Sequence, residues 1–208
     1  MDLQLKDKLA LVSGSTAGIG FAIANALVRE GARVIINGRT NERVSSAREQ
    51  IRSHNPGANV ETIAVDLGTA SGAEEVARRF PEVDVLVNNL GIFEPKPFEQ
   101  ISDAEWSRFF EVNVMSGVRL SRGYLPSMKK KNWGRIVFIS SESGIQIPVE
   151  MIHYGVTKTA QIAVARGIAE TCAGTGVTCN AVLPGPTASE GVDEFVGSLA
   201  SQAGQTRQ

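Results

Sequence analysis

Residues 9–20 read LALVSGSTAGIG. An apolar run is followed by a turn with three glycines, and apolar residues then recur at helical spacing up to Gly31. This order predicts a strand, a tight turn and a helix that begins within the turn. Because glycine lets a backbone approach a ligand closely and free amides at a helix start attract anions, the turn favours binding of a phosphate group.

Short β-branched runs alternate with helical patterns along the rest of the chain. Several of the runs are almost continuously apolar, which is typical of a parallel sheet buried on both faces. The repeated strand, helix, strand unit predicts an α/β fold with a doubly wound parallel sheet. Strands are predicted at residues 9–13, 33–37, 60–65, 83–88, 135–140 and 177–183.

Two further helices are predicted from local signals. Residues 102–105 form a capping box, in which a serine and a glutamate satisfy free backbone amides at a helix start. We expect this helix to continue through Asn113 to Leu120, with a break near Pro126. The last helix is expected over residues 148–173, where one face is small and apolar.

The composition favours one domain that acts on small molecules. The chain has 208 residues, of which 42% are hydrophobic, and its net charge of -1 gives no pull toward nucleic acid or anionic membranes. We expect a cytoplasmic protein, because no apolar stretch is long enough to cross a bilayer. Cys172 and Cys179 have neither disulfide-framework nor metal-ligand spacing, so buried packing roles are expected and no metal site is predicted.

The end of the second strand indicates which dinucleotide the turn would bind. A carboxylate there would accept hydrogen bonds from a free ribose 2′-hydroxyl, but the residues are Asn37, Gly38 and Arg39. An arginine can bind a 2′-phosphate, which favours NADP, with NAD possible. A solvated loop charge is the alternative interpretation of Arg39.

Ser141, Tyr154 and Lys158 follow the fifth predicted strand. Tyr154 and Lys158 are four residues apart on a helix, so they share a face, and an ammonium near a phenol lowers the phenol pKa. Ser141, at the carboxyl end of a strand, could hydrogen-bond a substrate carbonyl or hydroxyl. Taken alone, a tyrosine and a lysine at this spacing are more often structural.

With these motifs in this order, the whole chain resembles a short-chain dehydrogenase/reductase. The family's glycine motif appears at residues 13–20 with Ser13 in place of threonine, and its Asn-Asn-Ala-Gly motif at residues 88–91 with Leu90 in place of alanine. Leu90 could crowd the cofactor ribose. The family's asparagine, serine, tyrosine and lysine match Asn113, Ser141, Tyr154 and Lys158, and its Pro-Gly matches Pro184 and Gly185.

The resemblance implies a Rossmann-type sheet in three αβα layers, with NAD(P)H lying across its carboxyl edge. Tyr154 would be the general acid in carbonyl reduction and the general base in alcohol oxidation. Lys158 would lower the pKa of Tyr154 and bind the nicotinamide ribose, while Ser141 would orient the substrate oxygen. Asn113 would hold a water that connects Lys158 to solvent.

The resemblance also implies cofactor contacts and a domain organisation. Asp66 would bind the adenine. Residues 1–186 would form the catalytic domain and residues 187–208 a partial, mobile substrate lid, without the last helix and strand of the family. A complete chain would form a homodimer or homotetramer. The expected cofactor contacts are Gly14, Ser15, Thr16, Gly18, Ile19, Gly20, Arg39, Asp66, Leu67, Asn88, Gly91, Tyr154, Lys158, Pro184, Gly185 and Thr187.

Two functions are consistent with these features. The first is an oxidoreductase that transfers a hydride between NADP(H) and a ketone or secondary alcohol, such as a 3-oxoacyl thioester or another alcohol substrate. The second is a dinucleotide-binding regulatory or scaffold protein with little or no turnover. The residues leave the identity of the substrate open.

Overall fold

The computed structural model describes residues 2–187. Strands and helices alternate along this part of the chain, as predicted. The strands are β1 (Leu9–Val12), β2 (Arg33–Gly38), β3 (Val60–Ala64), β4 (Val85–Asn88), β5 (Gly134–Ile139) and β6 (Val177–Val182). The helices are α1 (Gly18–Arg29), α2 (Asn41–His54), α3 (Ala70–Arg79), α4 (Asp103–Phe110), α5 (Ser116–Lys131) and α6 (Ile152–Thr171).

The six strands form one parallel sheet in the order β3-β2-β1-β4-β5-β6. The strand order reverses between β1 and β4, where Leu11 pairs with Leu86. In an open parallel sheet, such a reversal leaves a crevice at the carboxyl ends of the two strands, and ligands bind there. The predicted Rossmann-type α/β fold is therefore confirmed.

Two apolar cores cover the two faces of the sheet. Leu11 and Ile35 belong to the core that includes Tyr124 of α5, whereas Val12 and Ile36 belong to the core that includes Ala24 of α1. Adjacent residues of a strand point to opposite faces, so β1 and β2 contribute to both cores. The three αβα layers follow from this alternation.

All six predicted strands are present, with ends that differ by at most two residues. The capping box is also present: Ser102 Oγ accepts from the Glu105 amide at 3.3 Å, and Glu105 Oε2 accepts from the Ser102 amide at 2.9 Å. The last predicted helix is α6, which is shorter than residues 148–173 at both ends.

The predicted break near Pro126 is wrong, because α5 continues through it to Lys131. Pro126 cannot donate to the carbonyl of Arg122, but both residues are exposed, so water can satisfy that carbonyl. The irregularity lies earlier, in a turn of π-helix at Glu111–Met115. Ser116 Oγ donates to the Val112 carbonyl in this turn at 2.6 Å.

The segment expected to be a substrate lid, residues 187–208, lies outside the described residues except for Thr187. Within the described range, no helix is long and apolar enough to cross a membrane.

Candidate active site and cofactor site

The glycine turn after β1 has the shape that a dinucleotide would need. Gly14 has a φ of +61°, a left-handed conformation that side chains rarely adopt. A Cβ on Gly20 would lie 2.4 Å from the Gly14 oxygen and 2.5 Å from Asn89 Nδ2, so only glycine fits there. The backbone of the turn is therefore tightly packed against its neighbours at the start of α1.

The start of α1 is suited to an anion. Its N-cap is Ala17, which has no side-chain acceptor for the first helix amides, and no acidic residue stands in the first turn. Free amides and the partial positive charge of a helix start attract phosphate. The residues present thus fit the pyrophosphate of a dinucleotide.

The loop after β4 is tied to this turn. Ser13 Oγ accepts from the amides of Asn89 at 2.9 Å and Leu90 at 3.0 Å, so serine holds this loop in place of the family's threonine. Asn89 Nδ2 donates to the Ser13 and Gly14 carbonyls at 3.0 and 2.9 Å. The Leu90 side chain packs against the core on the α5 face. Asn89 was not among the predicted site residues.

The end of β2 contributes a buried amide and an exposed cation. Asn37 is 2% exposed, and its Oδ1 accepts from the Gly14 amide at 3.1 Å. Gly38 allows Thr16 to approach, since a Cβ there would lie 2.5 Å from Thr16 Cγ2. Arg39 is exposed, and its guanidinium has no hydrogen-bond or ion-pair partner within residues 2–187.

The remaining predicted cofactor residues lie along the same edge. Asp66 follows β3 and its Oδ1 accepts from the Gly68 amide at 2.9 Å, while the next residue, Leu67, is buried. Asn88 ends β4, but its Nδ2 donates to Ser121 Oγ of α5 at 3.1 Å, so its side chain packs against α5.

A groove of about 460 Å³ joins the start of α1 to the loop after β6. Pro184 accepts from the Glu142 amide at 3.0 Å, which ties this loop to the segment after β5. Thr187 Oγ1 donates to the Gly185 carbonyl at 2.9 Å. The groove is lined by Gly18, Ile19, Ala22, Ile23, Ala26, Pro184 and Thr187.

Ser141, Tyr154 and Lys158 meet next to this edge. Ser141 follows β5, and its Oγ accepts from the Ser143 amide at 3.1 Å. Tyr154 lies in the first turn of α6, and Lys158 Nζ is 5.5 Å from the centre of its ring. The Phe93 and Tyr154 rings also pack edge to face, with the centroids 6.2 Å apart.

Burial shifts both titrating groups toward their neutral forms. It raises the pKa of the Tyr154 phenol, and a hydrogen bond with the Ser141 side chain opposes this rise. It lowers the pKa of Lys158 to about 8. The predicted lowering of the Tyr154 pKa is therefore absent here, because burial of the phenol outweighs the groups that would lower it. The Lys158 ammonium hydrogen-bonds the Ile139 carbonyl at 2.9 Å and Gln161 Oε1 at 3.2 Å.

Asn113 is fully buried in the π-helical turn. Its Oδ1 accepts from the Ile92 amide at 2.7 Å, and its Nδ2 donates to the Ile92 carbonyl and to Thr157 Oγ1, both at 2.9 Å. Its main-chain carbonyl accepts from Gln161 Nε2 at 2.5 Å. A Cβ on Gly91 would lie 3.4 Å from Asn113 Oδ1 and 3.5 Å from Lys158 Nζ. The predicted relay water of Asn113 stays a prediction.

His153 and the cysteines have packing roles. His153 is 1% exposed, and its ring lies 4.0 Å from the Phe109 ring and 6.0 Å from the Trp106 ring, between α4 and α6. Cys172 and Cys179 are buried free thiols. Within residues 2–187, no cluster of acidic, histidine or cysteine side chains could hold a metal ion.

Comparison with known proteins agrees with this geometry. The sequence model of the short chain dehydrogenase family matches residues 8–198. The chain belongs to this family. As a short-chain dehydrogenase, it is an NAD(P)-dependent oxidoreductase.

Relatives of this short-chain dehydrogenase include the uncharacterized oxidoreductase YvaG of Bacillus subtilis, which is 52% identical over 199 residues, or 96% of this chain and 75% of that protein. The 3-oxoacyl-[acyl-carrier-protein] reductase of Aquifex aeolicus is 35% identical over 189 residues, or 89% and 76% of the two chains. The L-sorbose reductase of Gluconobacter frateurii, solved with NADPH and L-sorbose, matches with a TM-score of 0.89 at 29% identity, over 97% and 78% of the two chains.

Proposed function

We propose that this oxidoreductase transfers a hydride between NADP(H) and a ketone or secondary alcohol, with Tyr154 as the acid and base. The observation that carries the proposal is the meeting of Ser141, Tyr154 and Lys158 beside the glycine turn that fits a pyrophosphate. When bound, the nicotinamide cofactor supplies a hydride to the carbonyl carbon or accepts one from the alcohol carbon.

The side chains of Ser141, Tyr154 and Lys158 orient the substrate oxygen and transfer its proton. In carbonyl reduction, the Ser141 hydroxyl donates to the substrate oxygen and orients it. The Tyr154 hydroxyl gives its proton to that oxygen as the carbon–oxygen π pair moves onto it, which leaves a phenolate. The Lys158 ammonium stabilises the phenolate, and solvent returns the proton. Alcohol oxidation reverses these transfers.

Burial around Tyr154 and Lys158 serves this chemistry. A buried phenol with a raised pKa keeps its proton until the substrate oxygen becomes basic. A lysine with a pKa of about 8 is still mostly protonated at neutral pH, so its charge is present when the phenolate forms. A low-dielectric surrounding strengthens the attraction between the two charges.

The residues at the end of β2 support NADP rather than NAD as the cofactor. The loop there offers an exposed arginine, Arg39, and no carboxylate. A guanidinium can bind a 2′-phosphate through two parallel hydrogen bonds. Residues 1–186 are proposed as the catalytic unit, and residues 187–208 as part of a substrate lid.

The experiment is NADPH oxidation with a panel of ketones, including 3-oxoacyl thioesters and keto sugars. The chain has two tyrosines, which offer a matched pair of variants. Tyr154→Phe should lower kcat by about 100-fold or more. Tyr124→Phe should leave it unchanged, because the Tyr124 hydroxyl is buried in the core without a partner in the described part of the chain.

Equal turnover by wild type and Tyr154→Phe would contradict the proposed acid. Tight NADPH binding without turnover of any ketone would instead support the regulatory or scaffold function.

We further propose a cytoplasmic homodimer or homotetramer that has no nucleic-acid partner. The free thiols Cys172 and Cys179 support a reducing compartment, and the balanced charge gives nucleic acid no general attraction. Phe110 on α4 and Val156 on α6 are large apolar side chains exposed by 44% and 41%, which supports self-association. Light scattering of the purified chain tests the oligomeric state.

A further inference from the structure

The carboxamide of Gln161 joins Lys158 to Asn113 inside the protein. Its Oε1 accepts from Lys158 Nζ at 3.2 Å, and its Nε2 donates to the main-chain carbonyl of Asn113 at 2.5 Å. Gln161 is 1% exposed and lies three residues after Lys158 on α6, where the two side chains share a face.

The partners determine the orientation of this amide. An ammonium only donates and a carbonyl oxygen only accepts, so the amide oxygen faces Lys158 and the amide nitrogen faces Asn113. Glutamate at this position would have no donor for the Asn113 carbonyl, and leucine would satisfy neither partner. The contact is therefore specific to a glutamine side chain.

The neighbours of the Lys158 ammonium are two oxygen acceptors and the Tyr154 ring. Besides Gln161, Lys158 Nζ donates to the Ile139 carbonyl at 2.9 Å, so two of its three hydrogens have acceptors within residues 2–187. Tyr154, one helical turn earlier, is the titratable side chain that faces it. Gly91, Ile139 and Asn113 contribute only neutral groups on the other sides.

We propose that Gln161 is a positioning residue for the hydride-transfer reaction, holding the Lys158 ammonium beside Tyr154 by means of its anchor on the Asn113 carbonyl. A carboxamide is neither an acid nor a base near neutral pH, so Gln161 acts by hydrogen bonding and passes no proton. This inference rests on the proposed function, because it takes the roles of Tyr154 and Lys158 from it.

The test compares Gln161→Leu and Gln161→Glu with Gln50→Leu. Gln50 is an exposed glutamine on α2 that hydrogen-bonds Ser46 Oγ at 3.2 Å, far along the chain from the site. For each protein we would measure kcat, the KM of a ketone, the melting temperature, and the titration of Lys158 by NMR of lysine labelled at the ε-carbon.

Gln161→Leu should lower kcat by about 10- to 100-fold, as expected for a lost hydrogen bond to a charged group, and change the ketone KM by less than about threefold. It should also lower the Lys158 pKa further, because an acceptor that favours the charged form is gone. Gln161→Glu should raise the Lys158 pKa and move the alkaline limb of the kcat profile to higher pH. Gln50→Leu should match wild type in every measurement.

A Gln161→Leu protein with wild-type kcat and wild-type Lys158 titration would overturn the proposal. A loss of kcat that only follows a lower melting temperature, with Lys158 titrating as in wild type, would also overturn it and leave a structural role. The Lys158 titration needs no turnover, so it tests the role of Gln161 even if no ketone is reduced. A lack of turnover with every ketone would contradict only the proposed function.

Discussion

The side-chain oxygen of Asn37 accepts a hydrogen bond from the main-chain amide of Gly14 at 3.1 Å. The Nδ2 group of the same side chain donates to the Val65 carbonyl at 3.0 Å and to the Ile63 carbonyl at 3.4 Å. One buried amide at the end of β2 thus connects the glycine turn after β1 to the end of β3. The shape of the phosphate site depends on a residue that need not touch the cofactor.

Replacing this amide should weaken the fold. Asn37→Asp places a carboxylate oxygen against the Val65 carbonyl, so we expect the free energy of unfolding to fall by about 1–3 kcal/mol at neutral pH. Urea unfolding measures the change. Asn41→Asp, in the exposed first turn of α2, is the control and should be neutral or slightly stabilising, because acids favour helix starts. Equal effects of the two variants would contradict the role given to Asn37.

The choice between NADPH and NADH should depend on Arg39. Arg39→Leu should raise the Kd of NADPH by about 10- to 100-fold, the usual loss for a charge-assisted contact, and leave the Kd of NADH nearly unchanged. Fluorescence titration with each cofactor measures both constants. Arg43→Leu, an exposed arginine in the first turn of α2, is the matched control. An equal rise in the Kd of NADPH and the Kd of NADH in Arg39→Leu would show that Arg39 does not recognise the 2′-phosphate.

The close packing at Gly20 should be intolerant of a single methyl group. Gly20→Ala places a Cβ 2.4 Å from the Gly14 carbonyl, which is main chain and cannot rotate away. We expect a loss of about 1–3 kcal/mol in the free energy of unfolding, together with weaker NADPH binding. Gly123→Ala in α5 meets nothing within 4 Å and should stabilise the helix by about 0.5–1 kcal/mol. Similar melting temperatures for the two variants would contradict this packing.

The buried Lys158 should make stability depend on pH in alkaline solution. Its folded-state pKa is about 8, below the ordinary value of 10.5. Between these values the unfolded chain binds more protons than the folded one, so stability rises with pH in this window. Relative to Lys158→Met, which lacks this group, wild type should gain up to about 3 kcal/mol as the pH rises from about 8 to 10.5.

Urea unfolding of wild type and Lys158→Met at several alkaline pH values measures this gain. Lys130→Met, at an exposed position of α5, should unfold with the same pH dependence as wild type. A constant difference between wild type and Lys158→Met would mean that burial does not shift this lysine.

The sequence by itself determined the sheet, its buried strands and the residues Ser141, Tyr154 and Lys158. These features depend on local patterns: apolar runs predict strands, the Ser102 capping box predicts a helix start, and a spacing of four places Tyr154 and Lys158 on one face. Helices α2 and α3 were predicted only as crossovers between strands, without bounds, because the apolar residues that they bury are few, such as Val44 and Val76.

Only the tertiary structure decided how these residues are held and charged. The hydrogen bonds of Asn37 to Gly14 and of Gln161 to Asn113 join segments 23 and 48 residues apart. The pKa of Tyr154 rises because of burial, whereas its spacing from Lys158 alone suggested that it falls. Spacing in the sequence indicates which side chains can lie close together. Desolvation and long-range hydrogen bonds arise only after the strands and helices have packed.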